Sequence, residues 1–218
     1  MPILVEAAVE SLAEARLAVA AGAQRLELCA NLAVGGTTPD LGILNEVLQW
    51  ATVPVQVLVR PRGGNFVYTG DELTALLRDI ALVREAGAHG IVTGALTSGG
   101  RIDLPATMQM LEAARPLRLT FHRAFDATPD HFRGLAELRE LGVERVLTSG
   151  GAATAEAGIP VLAQLVTRAA GRIAIMAGGS VRANHARRIV EQTGVSELHL
   201  QAGPQATFLR KVVDALSH

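Results

Sequence analysis

The choice of fold rests on a segment near the start of the chain, ILVEAAVES at residues 3–11. Residues 3–8 predict a buried β-strand, and the residues that follow it contain no glycine. An open doubly wound sheet normally carries its glycine fingerprint directly after the first strand, where it binds a dinucleotide. The segment therefore favours the other common arrangement of parallel βα units, a closed (β/α)8 barrel.

Short aliphatic segments alternate with longer segments of helical periodicity along the rest of the chain, which is typical of parallel βα units. The predicted strands are residues 3–8, 25–29, 55–60, 90–93, 117–122, 145–149, 172–177 and 197–200. The predicted helices are residues 12–21, 41–51, 71–86, 105–114, 130–141, 159–170, 182–193 and 207–216. Five helices precede a glycine that fits a left-handed C-terminal cap: Gly22, Gly87, Gly142, Gly171 and Gly194. Eight units in 218 residues predict an α/β protein with one TIM-type barrel domain over residues 1–218.

Composition excludes several classes of function. Twenty basic and 21 acidic residues give a net charge of -1, and aromatic residues make up 3%, so the basic surface of a nucleic-acid-binding protein is missing. No apolar stretch reaches the roughly 20 residues of a membrane span. The single cysteine, Cys29, excludes an intrachain disulfide and favours a reducing, cytoplasmic location.

Strand alternation predicts which side chains face into the barrel, because outward positions pack under helices and are apolar. In the second strand Leu26 and Leu28 face outward, which leaves Glu27 and Cys29 inward. The same argument places a polar set near the C-terminal mouth, where barrel enzymes hold their active sites. That set is Glu6, Glu27, Cys29, Arg60, Thr93, His122, Ser149 and His199.

Two histidines at one mouth favour proton transfer, since imidazole titrates near neutrality. Arg123 and Asp126 follow His122 at once on the predicted loop. The candidate catalytic residues are Glu6, Glu27, Arg60, His122, Arg123 and His199. The alternative is structural, because buried charges need partners and Glu6, Glu27 and Arg60 would serve as an ion-paired plug.

Two loops predict an anionic ligand. The first, RPRGG at residues 60–64, places Arg60 inward and Arg62 toward the loop and solvent, and guanidinium groups suit carboxylate or phosphate. The second, AGGSVR at residues 177–182, opens a helix after the seventh strand, at the usual phosphate site of a barrel. Its anion-binding candidates are Gly178, Gly179 and Ser180. The alternative is that these glycines only form a tight turn.

Residues and motifs that the sequence lacks exclude other kinds of catalysis. Lys211, in the last helix, is the only lysine, which excludes an imine-forming barrel lysine. No sequence motif compels a metal or indicates an organic cofactor. Cys29 together with Glu27, His122 and His199 offers ligands for one soft or borderline ion, although Cys29 also suits a small core position.

Seven segments lie in order along the chain: ELC at residues 27–29, GGTTP at 35–39, VRPRGG at 59–64, TGAL at 93–96, TFHRAFD at 120–126, RVLTSG at 145–150 and MAGG at 176–179. Together they resemble the CutC family, known as copper homeostasis proteins. The resemblance implies a cytoplasmic (β/α)8 barrel, a homo-oligomer (dimer or tetramer), and a link to copper, with Cys29, His122 and His199 as the metal ligands.

The chain departs from the family pattern where copper is concerned. Family members often carry cysteine near the end of the first strand and after the histidine of the eighth, where this chain has Ala7-Ala8 and Leu200. Asn65 replaces an aspartate at the mouth. The segment after the eighth strand is shortened to residues 201–204, which predicts a more open mouth. With one thiol and Met176 as the inner thioether, a high-affinity Cu(I) site is difficult to build.

Three functions follow from these observations. The resemblance implies a copper homeostasis protein that binds a metal ion at the barrel mouth. The residues themselves favour an enzyme or binder of a small anionic or phosphorylated metabolite. The third, a scaffold acting through its outer helices, has no exposed motif to support it.

Overall fold

Eight parallel strands, each paired with its neighbours in sequence, form a closed barrel in the computed structural model, which describes residues 3–202 and 206–217. Glu6 of the first strand lies opposite His199 of the last, where the barrel closes. The predicted (β/α)8 barrel is thus confirmed. The strands are β1 Leu4–Val9, β2 Arg25–Leu28, β3 Val55–Leu58, β4 Gly90–Thr93, β5 Arg118–Phe121, β6 Arg145–Thr148, β7 Ala174–Gly178 and β8 Glu197–Gln201.

A helix follows each strand and covers the outside of the barrel. Local signals set the helix ends: Thr69 and Glu72 form a reciprocal capping box at the start of α3, and α5 ends at Gly142 with a left-handed φ of 82°. None of the helices in the described ranges is long and apolar enough to cross a membrane. The helices are α1 Leu12–Ala20, α2 Leu41–Trp50, α3 Gly70–Glu85, α4 Leu104–Ala114, α5 His131–Leu141, α6 Ile159–Ala169, α7 Ala183–Thr193 and α8 Thr207–Ser217.

The predicted strands differ from the observed ones mainly at their C-terminal ends. β3 stops at Leu58, and the chain beyond it pairs with the loop after β2: the N–H of Thr38 donates to the carbonyl of Arg60 at 2.9 Å, and the N–H of Arg60 donates to Thr38 Oγ1 at 3.1 Å. Two unpredicted 3-10 turns, Leu32–Val34 and Arg123–Ala127, follow β2 and β5. Arg60 and Arg123 therefore lie on loops at the mouth.

Outward strand residues and the inner faces of the helices form the main hydrophobic core, which includes Leu26, Leu28 and Phe121. A small second cluster, Ala8, Cys29, Leu58 and Val92, fills the inside of the barrel. The predicted inward position of Cys29 is confirmed.

The prediction that Thr93 faces into the barrel is wrong. Its Oγ1 donates to the carbonyl of Val59 at 2.8 Å and lies 3.9 Å from the sulfur of Met110 on α4. Thr93 pairs in register with Phe121, an outward residue, whereas Val92 takes the inward position. Because β4 is apolar on both sides of the strand, its composition does not reveal its parity.

Candidate functional site

A cavity of about 440 Å³ opens at the C-terminal mouth of the barrel, a volume typical of a small-molecule site. Seven of the candidate residues line it: Glu27, Arg60, His122, Arg123, Gly179, Ser180 and His199. Its lining does not include Glu6, Cys29, Arg62 or Gly178 among the described residues. Gly203 and Pro204, in the shortened segment after β8, lie outside the described part of the chain.

Beneath the cavity, four charged side chains form what we call the floor network: Glu6, Arg25, Arg145 and Glu197. Arg25 bridges the carboxylates of Glu6 and Glu197, and Arg145 Nε donates to Glu197 at 2.6 Å. Arg145 Nη1 also donates to Thr120 Oγ1 at 3.1 Å. Buried charges persist only when they are paired in this way. Glu6 is thus ion-paired, as the structural alternative predicted, but its partner is Arg25 and not Arg60.

The sequence interpretation did not single out Arg25 and Arg145, although a signal for both was present. Each lies two residues before an inward position, Glu27 and Leu147, and side chains two apart on a strand share a face. Extending the parity argument from the mouth to the opposite end of each strand would have found them.

His199 connects the floor network to the cavity. Its Nδ1 lies 2.8 Å from Glu6 Oε1. Burial opposes ionisation of both groups, but the hydrogen bond from His199 and the charge of Arg25 hold the pKa of Glu6 at about 2. Burial likewise disfavours the imidazolium, yet the carboxyls of Glu27 and Glu6 raise the pKa of His199. The carboxyl of Glu6 thus favours the protonated form of His199.

Glu27 is the carboxyl with an unusual environment. It is 5% exposed, and its Oε2 has no hydrogen-bond partner in the described part of the protein. Burial raises the pKa of Glu27 to about 7, although the charge of His199 acts in the opposite direction. A carboxyl with this pKa exchanges its proton near neutrality, which is what a general acid or base requires.

His122 is a neutral hydrogen-bond donor. Its Nδ1 accepts from the backbone N–H of Ala124 at 3.3 Å and caps the 3-10 turn after β5. The ring proton is therefore on Nε2, which is buried and has no acceptor among the described residues. Burial and the nearby charge of Arg60 lower the pKa of His122 to about 3.

Arg60 joins the loops that follow β2 and β3. Arg60 is 4% exposed, and its guanidinium group lies over the ring of Phe66, with Cζ 4.8 Å from the ring centroid. Its Nε has no partner among the described residues. Its other nitrogens donate at 2.9–3.2 Å to the carbonyls of Val34, Gly35, Gly36 and Gly64. Arg60 is thus stabilised by carbonyl dipoles instead of a carboxylate, and the predicted plug with Glu6 and Glu27 does not form.

Arg62 turns away from the cavity. It pairs with Glu72 at the start of α3 and donates to the carbonyl of Val67 at 2.9 Å. Its guanidinium also lies 5.5 Å from the ring of Tyr68. These contacts brace the loop after β3, so the structure places Arg62 apart from the other anion-binding candidates.

The turn after β7 is the predicted anion-binding loop, and two of its backbone N–H groups have no acceptor among the described residues. Gly179 and Ser180 both have positive φ, 108° and 55°, and no described residue accepts a hydrogen bond from their N–H groups. A side chain on Gly179 would place its Cβ 3.6 Å from Cζ of Arg123, so the guanidinium lies directly over this turn. Arg123 is held there by Asp126 at 2.8 Å and by Ser149 Oγ at 3.0 Å.

A metal-ligand set also occurs at the floor of the cavity. Ligand atoms of Glu6, Glu27 and His199 lie within 4.8 Å of one another. Cys29 does not belong to this set; its thiol points to the carbonyl of Val9 at 3.6 Å, and burial raises its pKa. The sulfur of Met176 accepts a hydrogen bond from Arg25. The structure therefore separates both sulfur atoms from the candidate ligands.

The family model described as the CutC family matches residues 3–204. The chain belongs to the CutC family. A human relative, named copper homeostasis protein cutC homolog, is 44% identical over 91% of this chain and 73% of its own length. A family protein CutC from Glaesserella parasuis serovar 5 is 46% identical over 85% of this chain and 76% of the relative. A crystal structure named for CutC from Streptococcus agalactiae has a TM-score of 0.87 at 40% identity, over 90% of this chain and 97% of that chain.

Proposed function

We propose that the mouth cavity of this CutC-family barrel binds a small anionic metabolite, a phosphate ester, and that residues of the cavity exchange a proton with this metabolite. One observation carries the proposal: Arg123 and the turn at Gly179 and Ser180 share a cavity with Glu27 and His199. An anion-binding element and a proton-transfer pair are the two parts that such a site needs.

The anion-binding element supplies complementary contacts for a phosphate. The guanidinium of Arg123 contributes charge-assisted hydrogen bonds. Successive N–H groups in a turn with positive φ form a concave nest for an anion. The turn leads into α7, whose N-cap residue Arg182 makes no side-chain cap, so the first amides of the helix add their partial positive charge.

Proton transfer falls to Glu27 and His199. Glu27 has a pKa of about 7 and lies beside the imidazole of His199, so a proton moves between ligand and carboxyl at little cost near neutral pH. Glu6 holds the orientation of His199 from below. His122 adds a neutral N–H donor, the type of group that stabilises a developing negative charge on oxygen.

Calorimetric titration with inorganic phosphate and glycerol 3-phosphate tests this proposal. Arg123→Ala is expected to weaken binding at least about tenfold, because it removes a charged donor. Arg115→Ala is the matched control, since Arg115 makes a similar pair with Glu112 three residues away but does not line the cavity. Equal affinity for wild type and Arg123→Ala, or no binding of either probe, would overturn the proposal.

A second proposal follows from the metal-ligand set and from the name of the human relative: a role in copper homeostasis, with a metal ion as cargo. Glu27 Oε2 has no protein partner, and His199 and Glu6 lie beside it. Oxygen and nitrogen ligands fit Cu(II) or Zn(II), whereas Cu(I) prefers the sulfur that this set lacks. The charge of Arg25 on Glu6 and the proton on His199 compete with an ion here.

Metal titrations separate the two ligand sets. If the copper site is the Glu6, Glu27 and His199 set, His199→Gln weakens Cu(II) binding by about tenfold or more, while Cys29→Ser leaves it unchanged. Loss of binding in Cys29→Ser alone would contradict this assignment and restore the thiol as a ligand.

We also propose a cytoplasmic location and a homo-oligomer, either a dimer or a tetramer. The location is supported by the single, buried, free thiol of Cys29. The oligomer is supported by resemblance to the family. Light scattering coupled to gel filtration measures the subunit number, and a monomer at micromolar concentration would contradict the proposed homo-oligomer.

A further inference from the structure

Three residues that line the cavity each carry one buried polar atom without a hydrogen-bond partner among the described residues. In the described part of the chain, seven buried side-chain nitrogen or oxygen atoms lack one, and three of these belong to cavity residues: Arg60 Nε, His122 Nε2 and Glu27 Oε2. Their side chains are 4–5% exposed. Buried polar groups in folded proteins are normally hydrogen-bonded, so three exceptions in one cavity indicate a ligand that completes them.

The chemistry of these atoms restricts that ligand. Arg60 Nε carries a proton at any physiological pH, and His122 Nε2 carries one because Nδ1 accepts from Ala124. Both donors therefore lack a well-placed acceptor among the described residues, and the hydroxyl of Tyr68, which interacts with Arg60, is itself buried and unpaired there. The side chains of Arg60 and His122 pack against the same ring, Phe66, at 4.8 and 4.9 Å. The two donors thus belong to one end of the cavity, and Glu27 offers an oxygen to a hydroxyl group.

We propose that the bound metabolite is a phosphorylated hydroxycarbonyl compound, whose carbonyl oxygen accepts from Arg60 and His122 and whose hydroxyl group bonds to Glu27. The phosphate occupies the turn at Gly179 and Ser180. This inference rests on the proposed function, because it adds a second recognition end to the phosphate site. It assigns Arg60 and His122 as the residues that distinguish a carbonyl from an alcohol.

The ring of Phe66 packs against both residues, and it lies on the loop after β3 with its side chain only partly buried. The cavity lining also includes the apolar residues Leu32, Val34 and Leu58. An acceptor that enters here has few competing water partners, which strengthens its bonds to the two donors.

Matched pairs of probes test the carbonyl specificity by calorimetric titration of the whole chain. Dihydroxyacetone phosphate and glycerol 3-phosphate differ only in a carbonyl against a secondary alcohol. Ribulose 5-phosphate and ribitol 5-phosphate form a longer pair. Wild-type protein is expected to bind the carbonyl member of at least one pair about tenfold more tightly.

The variant His122→Asn removes the Nε2 donor and keeps an oxygen that can cap the turn after β5. It is expected to bring the carbonyl-to-alcohol ratio close to one. A wild-type ratio near one in both pairs overturns the inference, and so does a preference that survives in His122→Asn. The wild-type ratio decides the question even if the variant does not fold.

The same titrations distinguish this inference from the proposed function. If inorganic phosphate and both alcohol esters bind as tightly as the carbonyl esters, the phosphate site is supported and only the carbonyl specificity is overturned. If neither inorganic phosphate nor any of the four esters binds, the proposed function and this inference are both overturned.

Discussion

The floor network and the cavity above it contain similar residues and differ in how completely those residues are paired. In the floor network, the guanidinium groups of Arg25 and Arg145 form ion pairs with the carboxylates of Glu6 and Glu197. In the cavity, three buried side chains each leave one polar atom unpaired. On β2, Arg25 of the floor network and Glu27 of the cavity lie two residues apart.

Under our proposal, this difference separates a region that stabilises the barrel from a region that binds a ligand. A buried charge that is fully paired holds strands together and has no capacity left for a ligand. An unpaired polar atom weakens the free protein and gains a partner when a ligand arrives. His199 belongs to both regions, since it pairs with Glu6 and lines the cavity.

The largest expected effect comes from breaking the floor network. Arg25→Ala removes the cation that pairs with the fully buried Glu6 and bridges it to Glu197, which keeps Arg145 as a partner. Breaking a buried ion pair destabilises a protein by about 3–5 kcal/mol. Urea unfolding at pH 7 measures the loss. Arg115→Ala, which removes an exposed arginine, serves as the control with a much smaller change. A loss below about 1 kcal/mol in Arg25→Ala would show that the network is not structural.

Cys29→Ser should have a smaller effect. The thiol is buried among Ala8, Leu58 and Val92, so a hydroxyl there costs about 1 kcal/mol, reduced by a hydrogen bond to the carbonyl of Val9. Phosphate-ester binding is expected to be unchanged. A loss of ligand affinity in this variant, measured at a temperature where it is folded, would place Cys29 in the site.

Arg62→Ala should have the smallest effect on binding. Because Arg62 is occupied by Glu72 and by loop carbonyls, its removal is expected to change the affinity for glycerol 3-phosphate less than about threefold. Arg123→Ala is the comparison. If Arg62→Ala weakens binding as much as Arg123→Ala, Arg62 contributes to the anion site as the sequence suggested.

Strand periodicity was sufficient to predict the barrel and most of its mouth. Leu26 and Leu28 fixed the parity of β2, and that parity placed Glu27 inward. The same reasoning brought His122 and His199 to one cavity, because side chains alternate strictly along a strand. It failed at β4, where Val92 and Thr93 are equally buried and only the register with Phe121 determines the inward side.

Loop contacts could not be predicted in the same way. The partners of Arg60 are backbone carbonyls from two separate loops, whose positions depend on the path of the chain and not on residue type. Arg62 was expected to face solvent because it follows a proline at a loop. Its pairing with Glu72 arises from the capping box that starts α3 ten residues later, and no strand or helix period encodes that distance.

The sign of the pH dependence at Glu27 follows from its pKa. Its ordinary value of 4.5 rises to about 7 in the folded chain, so the folded state holds the proton more strongly than the unfolded state. Stability therefore falls as pH rises from 4.5 to 7, by up to about 3 kcal/mol, and stays low above that range. Glu6 behaves oppositely: its pKa of about 2 gives stability above pH 4.5 that is lost as pH falls through 2.

Urea unfolding of Glu27→Gln and Glu6→Gln between pH 4.5 and pH 8 tests the contrast between the two regions most directly. We expect the free energy of unfolding of Glu27→Gln to equal that of wild type near pH 4.5 and to exceed it by about 3 kcal/mol at pH 8, because the glutamine cannot ionise. Glu6→Gln is expected to be less stable than wild type at pH 8. A Glu27→Gln protein that is less stable than wild type at pH 8, like Glu6→Gln, would show that Glu27 is as well paired as Glu6 and would remove the contrast between the two regions.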